Sequence, residues 1–462
     1  MANKATRRVK PSRFPLFKSK RFLRIVLPLA ILFTLLNLIA IHCPLIEPEQ
    51  KIIVKSTNVK KWLDRIFKDV PHGPDFLKKN FLLINVTRDM TVSCKEPNPD
   101  FYADSTRPNP YPCTPIVDRS RLISLLTWLN EHPDRFEIVV CDLLFEKTKN
   151  DSLDSELVNA LHELEGKGKI LFASVYDKYN RNYYGDLISG VGNPGNKGAV
   201  NEEKVEDYFF KYRLAYEGTN VKSLPLLMFE RINKDTVHRG ILGTLRYHNK
   251  AGRRITAHNS FIPEMEISTD DIDRLPTPER NNEGRVNPDV GYMELWQAVK
   301  RGMGTDNVYL TQVLRPGTLG NRTIFIGAFS HDHSDMHKTL YGDMDGSLIL
   351  LNIYHNLVSG ANRVNVIYHI LIFFSFLFLF RILFIKINWF NHLTLPRKIQ
   401  VAEWFVKQLP YFILVAMTLI ANIFFGQVTN VIVLIVLIGG IKLLKKVTNN
   451  WSGIKWKDSP WK

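Results

Sequence analysis

Two kinds of hydrophobic pattern divide the chain. Long apolar runs that contain no acidic residue lie near both ends, whereas the middle carries short apolar runs separated by amphipathic stretches. Short apolar runs of strand length are typical of buried strands, and apolar residues three or four positions apart are typical of helices. The middle and the ends therefore predict different kinds of structure.

The middle of the chain predicts alternating strands and helices. Apolar runs predict strands and helical stripes predict helices, in the order strand 81–89, helix 118–132, strand 136–146, helix 151–168, strand 169–176, strand 323–329 and helix 346–360. Strands that alternate with helices imply parallel pairing through crossover connections. We therefore expect an α/β domain with a mixed or parallel sheet.

The long apolar runs predict four transmembrane helices. These spans are residues 22–41, 364–384, 409–425 and 428–444. The first has 20 residues, which as a helix covers roughly 30 Å, the thickness of a bilayer core. A cleaved signal peptide is the alternative for the first span, but small residues are missing where cleavage requires them. The last two spans could instead form one re-entrant unit.

The positive charge of the chain is concentrated beside the apolar runs. The net charge is +16, and residues 1–24 alone hold nine Lys or Arg and no acidic residue. Residues 381–408 and 441–462 are also basic. This distribution fits the positive-inside rule rather than nucleic-acid binding, because no basic stripe falls inside a predicted folded region.

This charge distribution predicts the topology of a multi-pass protein of a bacterial inner membrane. The basic segments 1–21, 385–408 and 445–462 are expected in the cytoplasm, and residues 42–363 outside it. The lipid bilayer is then a partner, and no nucleic acid is expected.

The cysteines fit an oxidising compartment. Cys94 and Cys113 bracket a loop rich in Pro, Asn and Asp, which predicts a disulfide between them. Cys141 lies within an apolar strand and is expected to be a buried free thiol.

Several segments resemble, in order, a known extracellular domain. The first predicted strand ends in Arg88-Asp89, Arg119 opens a helix, and the strand IVVCDLLF places Asp142 and Phe145 on motif positions. The closing part combines IFIGAF, Asp335, His337, Thr339 and the helix LILLNIYHNLVSG. Over about residues 80–362 the sequence is similar to the second type of CHASE domain, a sensory domain associated with bacterial cyclases and histidine kinases.

The resemblance implies a sensor. Members of the family commonly continue into an output domain, whereas only residues 445–462 follow the last apolar run here. We therefore expect a membrane-anchored extracytoplasmic sensor, not an enzyme, that signals to a separate membrane or cytoplasmic protein; a homo-oligomer is left open. The alternatives are a structural subunit of an envelope complex and an extracytoplasmic metal-dependent hydrolase.

Candidate binding residues follow the predicted strands. Open α/β sheets bind ligands beyond the carboxyl ends of their strands. On this basis and on the resemblance, the candidate ligand-binding residues are Asp89, Arg119, Asp142, Glu146, Asp335, His337 and Thr339. We expect Asp142, Asp335 and His337 to lie close together at one end of the sheet. The alternative is that these side chains only fix loops and cap helices.

A divalent metal is a second hypothesis for the same region. His331, His333 and His337 lie in a segment that also holds Asp332 and Asp335, and imidazole and carboxylate are common metal ligands. The alternative is a polar loop that follows a strand. The sequence contains no P-loop, GxSxG, HExxH or GxGxxG motif.

Overall fold

The computed structural model divides into two compact units. One unit comprises Leu63–Arg363, and the other comprises residues 1–62 and 364–462. The residues that the structure describes are mainly 26–40, 73–94, 113–145, 151–177, 195–200, 208–216, 218–240, 244–248, 252–278, 290–299, 322–329 and 336–384, with short pieces at 182–184 and 202–205 and a few single positions elsewhere.

Strands are numbered in chain order. They are β1 Phe81–Asn85, β2 Met90–Cys94, β3 Cys113–Val117, β4 Val139–Cys141, β5 Ile170–Asp177, β6 Asn182–Tyr184, β7 Lys197–Ala199, β8 Glu202–Val205, β9 Tyr208–Arg213, β10 His238–Arg239, β11 Thr244–His248, β12 Arg254–His258, β13 Ser260–Phe261, β14 Tyr292–Glu294, β15 Thr323–Gly327, β16 Met336–Thr339 and β17 Gly342–Asp345.

The helices are numbered in the same way. They are α1 Leu27–Ala40, α2 Gly73–Asn80, α3 Arg119–Glu131, α4 Asp151–Gly166, α5 Leu224–Asn233, α6 Thr269–Asp273, α7 Leu295–Ala298, α8 Gly346–Ser359 and α9 Val366–Phe384.

The main sheet has the order β14-β1-β15-β4-β5-β6, and β7 also pairs with β5. All its pairs are parallel except that of β6 with β5. The predicted α/β domain with a parallel sheet is confirmed. The strand β15, far along the chain, lies between β1 and β4, so the carboxyl ends of these strands are brought to one edge.

Both faces of the main sheet are covered. In β1, Leu82 and Ile84 belong to the apolar cluster that includes the leucines of α3 and α4. Phe81 and Leu83 belong to the cluster on the opposite face, which includes α5 and α8. Strands of a parallel sheet are buried on both faces, which explains why these segments are continuous apolar runs rather than alternating ones.

Three smaller sheets accompany the main one. The order in the first is β13-β9-β16-β17, with β8 on β9; the second is β10-β11-β12; the third is the hairpin β2–β3. Most of these strands fall between residues 182 and 261, where the sequence pattern predicted no element.

The prediction of four transmembrane helices is wrong. In the part of the chain that the structure describes, no helix is both long enough and apolar enough to cross a bilayer. Within 22–41 the helix α1 has 14 residues, or roughly 21 Å of helix. The predicted placement of the basic segments in the cytoplasm and of residues 42–363 outside it depended on these four spans.

The segments 409–425 and 428–444 lie almost wholly outside the described residues, as do 1–21, 385–408 and 445–462.

The helices α1 and α9 pack together within their own unit. The ring of Phe33 contacts those of Phe376 and Phe380, at centroid distances of 5.6 and 4.8 Å. The side-chain amide of Asn37 donates to the hydroxyl of Tyr368 at 3.1 Å. This bond satisfies two polar groups that would otherwise be buried among apolar side chains.

Candidate functional site

Four parallel strands end at the same edge of the main sheet. The register pairs Asn85 of β1 with Gly327 of β15 and with Glu294 of β14, and it pairs Ile326 of β15 with Cys141 of β4. The residues at and just beyond these strand ends therefore form one edge, which we call the carboxyl edge. Ligands of open α/β sheets bind at such an edge.

Asn85 connects three of the segments at this edge. Its Oδ1 accepts hydrogen bonds from the backbone N–H of Thr87 (3.2 Å), the hydroxyl of Thr87 (2.7 Å) and the backbone N–H of Phe329 (3.0 Å). Its Nδ2 donates to Oε2 of Glu294 at 3.0 Å. An amide can accept and donate at once, so a buried Asn can hold both a loop and a carboxylate.

Glu294 is a nearly buried carboxylate with several partners. The hydroxyl of Tyr292 donates to its Oε1 at 2.9 Å, and Nε of Arg88 lies 4.0 Å from the same atom. Burial raises the pKa of Tyr292, and the charge of Glu294 and its hydrogen bond raise it further. Gln297 accepts from the backbone N–H of Glu294 at 3.0 Å, which fixes the start of α7.

Asp89 is a second buried carboxylate at this edge. Arg121 forms an ion pair with its Oδ1, and the backbone N–H of Trp296 donates to its Oδ2 at 3.0 Å. The backbone carbonyl of Asp89 accepts from the N–H of Asp118, which caps α3, at 2.7 Å. A buried charge is tolerated only with such partners, so Asp89 ties together the starts of α3 and α7.

Asp142 lies at the other side of β15. The hydroxyl of Ser347, in the first turn of α8, donates to Oδ2 of Asp142 at 2.6 Å. The same hydroxyl oxygen accepts from the backbone N–H of Ala328 at 3.2 Å. A Cβ on Gly327 would lie 2.3 Å from this oxygen, so glycine is needed there for α8 to approach the strand end.

Arg119 lies beside this group but pairs elsewhere. Its Nε is 3.7 Å from Oδ1 of Asp154, and both side chains are buried. Its guanidinium also lies over the ring of Phe145, 5.5 Å from the centroid.

Burial raises the pKa of the Cys141 thiol; the charge of Asp142 raises this pKa further, whereas the charge of Arg119 lowers it. The prediction that Cys141 is a buried free thiol is confirmed.

His337 and Thr339 are on β16, which belongs to the second sheet. His337 is half-buried and pairs in register with Met344 of β17. The hydroxyl of Thr339 donates to the carbonyl of Gly342 at 2.7 Å and accepts from the N–H of Tyr341 at 3.0 Å. Thr339 therefore fixes the turn between β16 and β17. This is the structural role that was the alternative to ligand binding for this residue.

The remaining candidates lie outside the described residues. They are Glu146, His331, His333 and Asp335. The expected proximity of Asp142, Asp335 and His337 thus stays a prediction. Within the described residues, no group of three or more His, Cys, Asp or Glu side chains is arranged to hold a metal ion. The metal hypothesis, which depends on His331 and His333, also stays a prediction.

The backbone places Cys94 and Cys113 opposite each other. They are register partners in the antiparallel hairpin β2–β3. Residues directly opposite in antiparallel strands have Cα atoms about 4.5–5.5 Å apart, within the range that a disulfide spans. The hairpin begins directly after Asp89 and returns to Asp118, so its base is part of the carboxyl edge.

The structure adds five residues that sequence reasoning missed. They are Asn85, Arg121, Tyr292, Glu294 and Ser347. Asn85 could have been noticed, because it is the only polar residue in the strand FLLIN. Glu294 and Tyr292 could not, because they lie in a region without a recognised element.

Comparison with protein families gives one finding. A family model described as CHASE2 domain matches residues 102–385, which is more than half of the chain. No curated protein matches the sequence, and no solved structure matches it.

Proposed function

Since this chain belongs to the CHASE2 domain family, we propose that it is an extracytoplasmic sensor that binds a ligand and passes the signal to a separate protein. CHASE2 is a sensory, non-catalytic domain of extracellular location, and the family match is the observation that carries the proposal. A sensory domain has no output chemistry of its own, so the signal must reach an effector.

The carboxyl edge is the proposed ligand site. It joins the ends of four parallel strands, and it collects the side chains of Asn85, Asp89, Asp142 and Glu294. Asp142 is the best-placed contact for a ligand, because it is half-buried whereas the other three are buried. A ligand that competes with Ser347 for Asp142 would act directly on α8.

The helix α8 is the proposed route of the signal. Asn352 accepts from the N–H of Ile267 at 2.8 Å and donates to its carbonyl at 2.8 Å. One turn later, Asn356 makes the same pair of bonds with Glu264, at 3.0 and 2.7 Å. These bonds couple α8 to the segment 264–267, so a shift that starts at Ser347 displaces both. A ligand drives such a shift only through different affinities for the two positions of α8.

The hairpin β2–β3 is proposed to carry a Cys94–Cys113 disulfide. The register of the two residues and the extracytoplasmic location of the family support it. A covalent link across the hairpin would hold the segment between Asp89 and Asp118 in place, and with it one side of the proposed ligand site.

A ligand screen tests the proposed site. The full chain is purified, and its thermal unfolding is followed with a panel of small molecules that carry hydrogen-bond donors, such as amino acids, amines and sugars. We expect at least one compound to raise the unfolding midpoint of the wild type and to lose this effect in Asp142→Ala.

The control for this screen is Asp134→Ala. Asp134 is exposed and precedes β4, so it lies before the same strand that Asp142 follows. The control should keep the full ligand effect. A ligand whose effect is unchanged in Asp142→Ala would show that the site lies elsewhere, and turnover of any compound by the purified chain would contradict a purely sensory role.

A further inference from the structure

The three-stranded sheet β10-β11-β12 has an unusual charge. Residues 238–258 contain five Lys or Arg, three His and no Asp or Glu. The remainder of 42–363 has a net charge of −7. A basic element within an otherwise acidic domain creates a local positive electrostatic potential at the surface, and a positive potential favours anionic partners.

The register places two of the five arginines and lysines, together with two of the three histidines, on one face. His238 pairs with Arg246, and Arg246 pairs with Thr256; one step further along, His248 pairs with Arg254. Residues directly opposite each other, and residues two apart in a strand, point to the same side. These five residues, His238, Arg246, His248, Arg254 and Thr256, form what we call the basic face.

The opposite face of the same sheet is used for packing. Leu245, Tyr247 and Ala257 are buried in the apolar cluster that also contains α8. The hydroxyl of Tyr247 donates to Oδ1 of Asn362 at 3.0 Å. The sheet is therefore held firmly on its inner side, and the basic face is its outer side.

The two arginines of the basic face form no ion pair within the part of the chain that the structure describes. His248 lies 3.5 Å from Asp235, which also accepts the backbone N–H of His248. Arg246 and Arg254, by contrast, have no carboxylate within 4.0 Å among the residues that the structure describes. Two exposed or half-exposed guanidinium groups on one face are thus available to an external anion.

The described residues of this face include no apolar anchor. Of the large apolar side chains that are exposed in the described residues, none belongs to 238–258. Protein–protein interfaces rely on buried aromatic or aliphatic anchors, whereas anionic headgroup layers attract basic residues without them. Charge complementarity without an anchor favours a lipid surface over a protein partner.

We propose that the basic face docks on the headgroup layer of anionic phospholipids. Arg246 and Arg254 are the main contacts, and the two histidines border them. The neighbouring strand β12 lies against the last residues of the unit, since the N–H of His258 donates to the carbonyl of Asn362 at 2.9 Å. Docking would therefore set the position of the domain close to the point where the chain leaves it.

Vesicle binding tests the proposal. The full chain is mixed with vesicles of phosphatidylglycerol or of phosphatidylcholine, and the bound fraction is measured by co-sedimentation at low and high salt. The wild type should prefer phosphatidylglycerol, and salt should weaken this preference because the contact is electrostatic. Arg246→Glu/Arg254→Glu should reduce binding to phosphatidylglycerol by at least roughly 30-fold, because two basic residues that each contribute about 1 kcal/mol near such a surface are lost and two negative charges are added.

A matched charge variant separates this face from net charge. Lys79→Glu/Lys338→Glu makes the same change of charge on exposed side chains elsewhere in the domain, and it should bind as the wild type does. An equal loss in both variants, or no preference of the wild type for phosphatidylglycerol, would overturn the proposal. If the glutamate variant does not fold, judged by its circular dichroism, Arg246→Gln/Arg254→Gln provides the same comparison.

Discussion

Replacing Asn85 tests whether the carboxyl edge is one connected network. Asn85→Asp keeps the oxygen that accepts from Thr87 and Phe329, and it replaces the amide that donates to Glu294 at 3.0 Å. A second carboxylate then faces Glu294 within a site that is almost closed to water. Asn85→Ala removes all four hydrogen bonds but adds no charge.

The two variants differ in how their stability depends on pH. Two charges 3.0 Å apart repel by about 5 kcal/mol at an effective dielectric constant near 20. The pair avoids this by taking up one proton, which costs about 4 kcal/mol at pH 7 for a carboxyl whose unfolded pKa is about 3.9, and about 1.5 kcal/mol at pH 5. The folded variant binds a proton more readily than the unfolded chain, so its stability falls as the pH rises from 5 to 7.

Urea unfolding at the two pH values measures the effect. We expect Asn85→Asp to lose about 4 kcal/mol at pH 7 and about 1.5 kcal/mol at pH 5, relative to the wild type at each pH. Asn85→Ala should lose about 3 kcal/mol at both, from buried groups left without partners. The control Asn80→Asp removes a bond to the carbonyl of Phe76 and faces no carboxylate in the network. A loss in Asn85→Asp that does not grow with pH would refute the reasoning.

Three further predictions concern the same edge and its hairpin. Ser347→Ala should lower the unfolding free energy by about 2 kcal/mol, because Asp142 loses a hydrogen bond to a charged group; an unchanged value would mean that the two groups are solvated. Cys94 and Cys113 should appear as one disulfide peptide in non-reducing mass spectrometry, worth roughly 3 kcal/mol in the chain-entropy model, and two free thiols would rule it out. Cys141 should resist thiol reagents until the chain unfolds, because it is buried and its pKa is raised; rapid labelling of the native chain would contradict this.

The sequence predicts the main sheet well because buried parallel strands leave a strong pattern. The apolar runs at Phe81–Asn85, Val139–Cys141 and Thr323–Gly327 are buried on both faces, which continuous apolarity reflects. It does not predict that β15 lies between β1 and β4, because strand order depends on contacts across more than 180 residues of sequence.

The carboxyl edge is predicted only in part. Asp89 and Asp142 were identified because they follow strands, but their partners Arg121 and Ser347 lie on helices whose docking sequence patterns do not specify. Glu294 is contributed by β14, a strand of three residues, which is too short to leave a periodic signal.

The prediction of membrane helices failed for a different reason. Apolar runs and basic flanks are properties of the sequence, whereas a transmembrane helix must be continuously helical and apolar across the bilayer. The described helix α1 covers 14 residues of the first run. Hydropathy over a window does not show where a helix begins and ends.

Hydrogen exchange of α8 tests the sensor mechanism most directly. A ligand identified by the thermal-unfolding screen is added to the full chain, and amide exchange is measured in Gly346–Ser359 and in the segment 264–267 that Asn352 and Asn356 hold. The proposed mechanism predicts that exchange changes in both places in the wild type and in neither place in Asp142→Ala. Ligand binding that leaves exchange in α8 unchanged would contradict it.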